Sequence, residues 1–118
     1  MTLDEVYDDL VSIVSEVGAQ VDVPREAEAF FTAVVERCAT KEDCLEHVRD
    51  NLRTWFRAVH SYPVWIQEAE WQFAQGRPMI FVGQVDVPAA KGLLHDDSSF
   101  FVFWDPEGGE IRTVSQVA

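Results

Sequence analysis

The chain changes period at His60-Ser61-Tyr62-Pro63, and that switch limits the folds open to it more than any other feature. Upstream, apolar residues recur every three or four positions, the repeat of a helix with one buried face. Three such stripes follow one another: Leu3, Val6, Leu10, Ile13, Val14 and Val17; then Ala27, Phe30, Phe31, Val34, Val35 and Cys38; then Cys44, Leu45, Val48, Leu52, Trp55, Phe56 and Val59. Downstream, short β-branched and aromatic runs alternate with Pro and Gly punctuation, as in strands joined by turns. Pro63 cannot continue the third helix, because it lacks the N–H that a helix interior needs.

The helix boundaries carry their own signals. Thr2 with Glu5 three residues on predicts a capping box opening a helix to about Ala19, and Gly18 with Val21-Asp22-Val23-Pro24 ends it. Pro24 suits the first position of a second helix, preceded by Asp22 or Val23. Thr40 caps the third, with Asp43 three positions on. Short connections imply helices packed on one another or across a sheet.

In the second half, Val64-Trp65-Ile66-Gln67 reads as a short extended segment and Gly76-Arg77-Pro78 as a turn. Met79 to Val87 is the clearest strand. Met79, Phe81, Gly83, Val85 and Val87 line one face, and Ile80, Val82, Gln84 and Asp86 the other. Pro88 ends it, and Ala89 to Ser98 is a loop carrying His95-Asp96-Asp97. Phe100-Phe101-Val102-Phe103-Trp104 is apolar on both faces, the pattern of a strand covered on both sides. Asp105-Pro106-Glu107-Gly108-Gly109 is a turn, and Ile111 to Val117 returns as the second arm of a hairpin.

The expected fold is therefore α+β: three N-terminal helices packed on a small antiparallel sheet formed by the C-terminal half. One domain spans 1–118, with residues 1–60 helical and 61–118 forming the sheet, and no linker offers a place to divide it. At 118 residues, 47% hydrophobic, the chain can bury one real core.

Nine basic against twenty-one acidic side chains give a formal charge of −12. Such a field opposes contact with nucleic acid or anionic lipid and attracts a basic protein. Residues 1–60 hold thirteen acids and six bases, and residues 61–118 hold eight and three, so no acidic tail accounts for the excess. The N-terminus has neither the basic nor the apolar region of a signal peptide, and no stretch has the length of a transmembrane helix. Cys38 and Cys44 are too few for a secreted disulfide scaffold, and the cytoplasm is the expected compartment.

Four groups of residues carry candidate chemistry. His95, Asp96 and Asp97 could offer ligands to a hard cation, with Glu68, Glu70 or Asp86 completing a site where the fold brings them near. Adjacent loop residues rarely converge on one ion, and no EF-hand or HExxH spacing surrounds them, so no metal or cofactor is expected. Cys44 and His47, three apart, could share a helix face, but Cys44 lies on the apolar stripe behind Glu42 and Asp43, the wrong setting for a thiolate. A Cys38–Cys44 bridge would be geometrically feasible, although a reducing compartment favours free thiols. Glu68 and Glu70, between Trp65 and Trp71, form a carboxylate pair with nothing to raise either pKa. No Gly-rich phosphate loop or GxSxG elbow is present.

The most distinctive segment is Tyr62-Pro63-Val64-Trp65-Ile66-Gln67, with Trp71 beyond it. It reads as a lid over the sheet. Gln84, costly to bury without partners, is expected to bond the backbone near Trp65 or Gln67. Pro63-x-Trp65-Ile66-Gln67, Gly76-x-Pro78-Met79-x-Phe81-x-Gly83-Gln84-x-Asp86 and Phe100 to Trp104 together resemble the YwqG-like bacterial proteins, in which a Trp-containing segment precedes a P-[LM]-x-F-[LIV]-x-Q strand and an aromatic strand. The similarity covers about residues 62–104. It implies local β-architecture with Trp65, Gln67 and Gln84 as framework, and it brings no enzymatic activity.

These features favour a small acidic binding protein, of the immunity-protein or antitoxin kind, that masks a basic partner. Glu68, Glu70, Asp86, Asp96 and Asp97 are the candidate contacts, and Trp65, Gln67, Trp71, Gln84 and Trp104 the framework. The alternatives are a small metal-dependent hydrolase built on Glu68, Glu70, Asp86, His95 and Asp97, and a ligand sensor with a cavity lined by Trp65, Trp71, Phe101 and Trp104. The final strand could also pair edge to edge with a second copy.

Overall fold

The structure, a computed structural model, describes residues 1–18, 21, 26–89 and 96–118. Three helices come first: α1 (Leu3–Val17), α2 (Glu26–Glu36) and α3 (Lys41–Trp55). Five strands follow: β1 (Phe73–Ala74), β2 (Arg77–Pro78), β3 (Ile80–Val87), β4 (Ser98–Trp104) and β5 (Ile111–Val117). β1 and β2 form a two-stranded hairpin, and β3, β4 and β5 an antiparallel sheet in that order. The fold is α+β. Pro24, expected to open the second helix, and His95 lie outside the described residues.

The helix ends follow the sequence signals. The Thr2 N–H donates to the Glu5 carboxylate (3.4 Å), and the Asp43 N–H donates to the Thr40 hydroxyl (3.3 Å). Gly18 sits at φ 81°, and its N–H closes on the Val14 carbonyl at 3.0 Å. That left-handed residue terminates α1, as glycine does best. Each helix turns its stripe inward: Val6, Leu10 and Ile13 of α1, Phe31 and Val35 of α2, and Cys44, Val48 and Leu52 of α3 are buried.

An aromatic stack joins the helices to the sheet. Phe31 lies parallel to Phe56 at 5.7 Å, and Trp71 meets Phe56 at 5.3 Å and Phe103 at 5.5 Å, both edge-on. Such pairs add about 0.5–1.5 kcal/mol each beyond the area they bury. The core therefore runs continuously from helix layer to sheet through Trp71. The molecule is long, 55 × 30 × 23 Å, and its radius of gyration of 15.7 Å exceeds the roughly 13–14 Å of a compact chain this size.

Two boundaries differ from expectation. α3 stops at Trp55 instead of continuing to Val59, which is exposed. The reason is competition from a sheet edge: Phe81 donates its N–H to the Arg57 carbonyl (2.8 Å), and Val59 donates to the Phe81 carbonyl (2.9 Å). The chain leaving α3 thus lies parallel to β3 at one bridge, Ala58 to Phe81.

The second difference inverts the faces of β3. Its register with β4 shifts between Phe81 and Gly83, a bulge that leaves Val82 unpaired. Beyond it, Gln84 opposes Phe101 and Asp86 opposes Ser99, on the same face as Phe81 and Phe103. Gly83, Val85 and Val87 turn to the other face, contrary to plain alternation from Met79. That other face is exposed at Val85, Trp104, Ile111 and Val117, whereas Ile80 and Ser98 at its two ends are buried. β4, apolar on both sides, is covered on one only, and Trp104 remains 40% exposed.

Candidate binding surfaces

A polar row crosses the covered sheet face at one end. Cross-strand pairing lines up Asp86, Ser99 and Gln116 on β3, β4 and β5. The Ser99 hydroxyl donates to Asp86 Oδ1 at 2.6 Å, and Gln84 Nε2 donates to the same oxygen at 2.9 Å. These two bonds to the charged form hold the Asp86 carboxyl below the usual range, with Ser99 the larger cause.

Two glutamines hold residues 62–70 against the sheet. Gln84 Oε1 accepts from the Val64 N–H (2.8 Å), and its Nε2 also donates to the Val64 carbonyl (3.0 Å). Gln116 Oε1 accepts from the N–H groups of Ile66 and Gln67, both at 2.9 Å. Its Nε2 donates to the Glu68 carbonyl (2.7 Å) and to Glu70 Oε2 (2.9 Å). A side-chain amide offers the donor and acceptor of a peptide, so these residues replace the neighbour strand that segment 62–70 lacks. Gln84 therefore makes its backbone bond one residue from Trp65. Gln67 returns a bond of its own, from Nε2 to the Val117 carbonyl at 2.8 Å.

Trp65 is clamped beneath this strap. Its ring lies 4.4 Å from Phe101 and 6.2 Å from Phe103, the latter nearly parallel. Trp71 is buried and donates Nε1–H to the Met79 carbonyl at 2.9 Å. Burial raises the pKa of the Tyr62 phenol, which donates to the Phe56 carbonyl at 3.0 Å. Trp65, Trp71 and Phe101 thus belong to a filled core, and Trp104 lies on the opposite sheet face, so the four do not line one cavity.

The carboxylates named from the sequence separate. Asp86 and Asp97 border one groove of about 390 Å³, together with Gln84, Ser99 and Pro88. Asp97 there accepts from the Ala89 N–H at 2.8 Å. Glu70 is bonded to Gln116, and Glu68 and Asp96 are exposed. Among the described residues no three His, Cys, Asp or Glu side chains come together as metal ligands. Cys44 and His47 do not meet either: Cys44 is fully buried, whereas His47 is exposed beside Asn51. Both cysteines are free thiols, and burial, with the neighbouring Cys38, pushes the Cys44 thiol up to about 11. A nucleophilic thiol needs the opposite shift.

A shallow groove of about 650 Å³ runs between α1 and the strap, with Val11 and Val14 on one wall and Tyr62 to Trp65 on the other. The main electrostatic feature lies on the helices. Together they hold twelve acidic and three basic residues, whereas the five strands hold one acidic and two basic. The charge excess, spread evenly between the halves of the sequence, is thus uneven between structural layers. On α3, Glu42, Asp43, Glu46 and Asp50 share the exposed side opposite Cys44, Val48 and Leu52. α1 exposes Asp4, Glu5, Asp8 and Glu16 and carries no base at all.

Sequence reasoning passed over Gln116 and Ser99. The available signal was polarity at an inward register: Val114 and Gln116 alternate with the exposed Thr113 and Ser115. Arg112 was also missed. It joins Glu110 (2.6 Å) to Gln72 (3.1 Å) and the Phe73 carbonyl (3.2 Å), fastening β5 to β1. Among the described residues no helix is long and apolar enough to cross a membrane. No protein-family model, no curated protein and no solved structure matches the chain.

Proposed function

We propose that this chain is a non-enzymatic binding protein whose acidic helical layer engages a basic partner protein, as an immunity protein or antitoxin masks the cationic groove of a nuclease. The observation that carries this reading is the segregation of charge, twelve acids against three bases on the helices. Lys41 neutralises Asp9 (2.9 Å) and Arg49 lies 3.4 Å from Glu16, which leaves the exposed acids of α3 and the first turns of α1 without a salt bridge among the described residues. A field of one sign over one layer steers encounter with a basic surface and orients it.

This reading moves the contact surface. Glu70, Asp86 and Asp97 act within the fold, and the partner meets Asp4, Asp8, Glu42, Asp43, Glu46 and Asp50 first, with Glu68 and Asp96 as further acids on the sheet half. The protein works in the cytoplasm, where Cys38 and Cys44 stay reduced. The kinship of residues 62–104 with the YwqG-like proteins belongs to the same proposal, because that segment supplies strap and sheet and no activity.

A native pull-down of the tagged protein from its source should yield one stoichiometric basic partner, released by salt. The association rate of that pair should fall roughly 10–100-fold between about 20 mM and 300 mM salt. Reversing charge at Glu46 and Asp50, both exposed beyond the first turn of α3, should slow association further and leave the melting temperature nearly unchanged. A salt-independent association rate, or a clean preparation without a partner, would sink the proposal.

A further inference from the structure

The second sheet face, turned away from the helices, has a composition unlike the rest of the molecule. The strand register assigns twelve positions to it, from Ile80, Trp104 and Ile111 at one end to Val87, Ser98 and Val117 at the other. None of the twelve is charged, although a quarter of the chain is. Eight are Val, Ile, Phe or Trp, and the remainder are Gly, Ser and Thr. Ile111 is 69% exposed, Val85 58%, Val117 48% and Trp104 40%, whereas Ile80 and Ser98 are buried. Scattered apolar residues on a surface need no explanation, but a contiguous uncharged face of this size marks an interface.

We infer that this face is the contact between two copies of the chain, related by a two-fold axis and stacked sheet on sheet. Three observations select a second copy over another occupant. The first is extent: ten of the twelve positions, on all three strands, stay at least partly exposed, and a stable specific pair needs about 600–1,000 Å² from each copy.

The second is charge. Two molecules of −12 repel wherever their acids meet, and this is a face on which a copy meets its own image without opposing like charges. The helices, where most of the excess sits, reach the sheet through Phe56 and Trp71 and not through this face. The third is shape. A single antiparallel sheet with one covered and one apolar face is half of a sandwich, and an identical sheet set about 10 Å away completes the layer. A two-fold contact is self-complementary by construction, with Trp104 of each copy as the largest side chain in the seam. The existence of the dimer does not depend on what the acidic helices bind.

Sedimentation velocity from about 1 to 200 µM in about 150 mM salt tests the inference. The expected species has twice the 13.4 kDa mass of the chain, dissociating on dilution. Val85→Lys should weaken it at least a hundredfold. Val85 is already exposed, so the fold should tolerate the change, and circular dichroism and melting at low concentration would verify that. Lysine also reduces the net negative charge, so general electrostatics would favour association and cannot explain its loss. Ser12→Lys, the same charge change on the exposed side of α1, should leave the dimer intact. A 13.4 kDa species at every concentration would overturn the inference. So would a dimer that survives Val85→Lys, which would have to use another surface such as the β5 edge.

Discussion

At the scale of single residues, Gln116 is what fastens the strap to β5. It is 2% exposed and makes four bonds, two from backbone N–H groups and two to the Glu68 carbonyl and the Glu70 carboxylate. Replacing it with Leu preserves bulk but strands the N–H groups of Ile66 and Gln67 under the strap. Each half-buried donor left unpaired costs about 1–3 kcal/mol, so Gln116→Leu should lower the unfolding free energy by about 3 kcal/mol, measured by urea titration. Gln84→Leu should cost less, about 1 kcal/mol, because its bonds to Val64 are exposed, where water can replace the amide, whereas those of Gln116 are part-buried. Equal losses for the two variants would show that the strap is held by its aromatic contacts instead. A Gln84→Leu variant of unchanged stability that lost partner binding would reassign Gln84 from framework to contact.

At the scale of elements, legibility tracked the range of the forces involved. The helices were readable because capping and stripe are local: Thr2, Gly18 and Thr40 act within four residues, and the 3.6 period lies in adjacent turns. The β4–β5 hairpin was readable for the same reason, since the Asp105 carboxylate accepts the Glu107 and Gly108 N–H groups two and three residues on. The strap was only half readable, because what fastens Ile66 and Gln67 is a side chain about fifty residues away. The bulge at Val82 was not readable at all. One extra residue reverses every side chain beyond it, and only the finished sheet shows that Gln84 is worth turning inward. Of the candidate site, the sequence named Trp65, Gln67, Trp71 and Gln84, but it grouped with them Trp104, which lies on the other sheet face, and it did not show the distribution of charge, which emerges once acids are assigned to elements. The β1–β2 turn yields a prediction at this scale. Gln75 and Gly76 both have positive φ, 52° and 76°, between paired Ala74 and Arg77, the two-residue turn that favours Asn-Gly. Glutamine is strained there, so Gln75→Asn should stabilise the protein by about 0.5–1 kcal/mol in thermal or urea unfolding. A neutral or destabilising result would mean that the hairpin is not formed when the rest of the core is.

At the scale of the whole molecule, the distribution of charge opposes the fold that displays it. Folding gathers the helical acids into one layer, whereas the unfolded chain spreads them out, so screening should favour the native state. Raising salt from about 10 to 500 mM should therefore raise the melting temperature by several degrees at fixed protein concentration. Two substitutions with the same change of net charge separate this general repulsion from local effects. Glu36 is exposed at the C-terminal end of α2, where a carboxylate also opposes the helix dipole and no base occupies the last turn. Glu36→Lys relieves both repulsions and should stabilise by about 0.5–1 kcal/mol, with a weaker salt dependence. Glu5→Lys relieves the general repulsion equally, but it removes the acceptor for the Thr2 N–H and puts a cation at the positive end of α1. It should destabilise by about 1 kcal/mol while flattening the salt dependence in the same way. If both variants instead gained stability equally, the net field alone would set the stability of the helical layer; if neither altered the salt response, the acids would be too far apart or too well hydrated to repel. Opposite signs on stability with the same sign on salt response would mean that the acidic layer is maintained at a cost to the fold, as a surface kept for a partner would be.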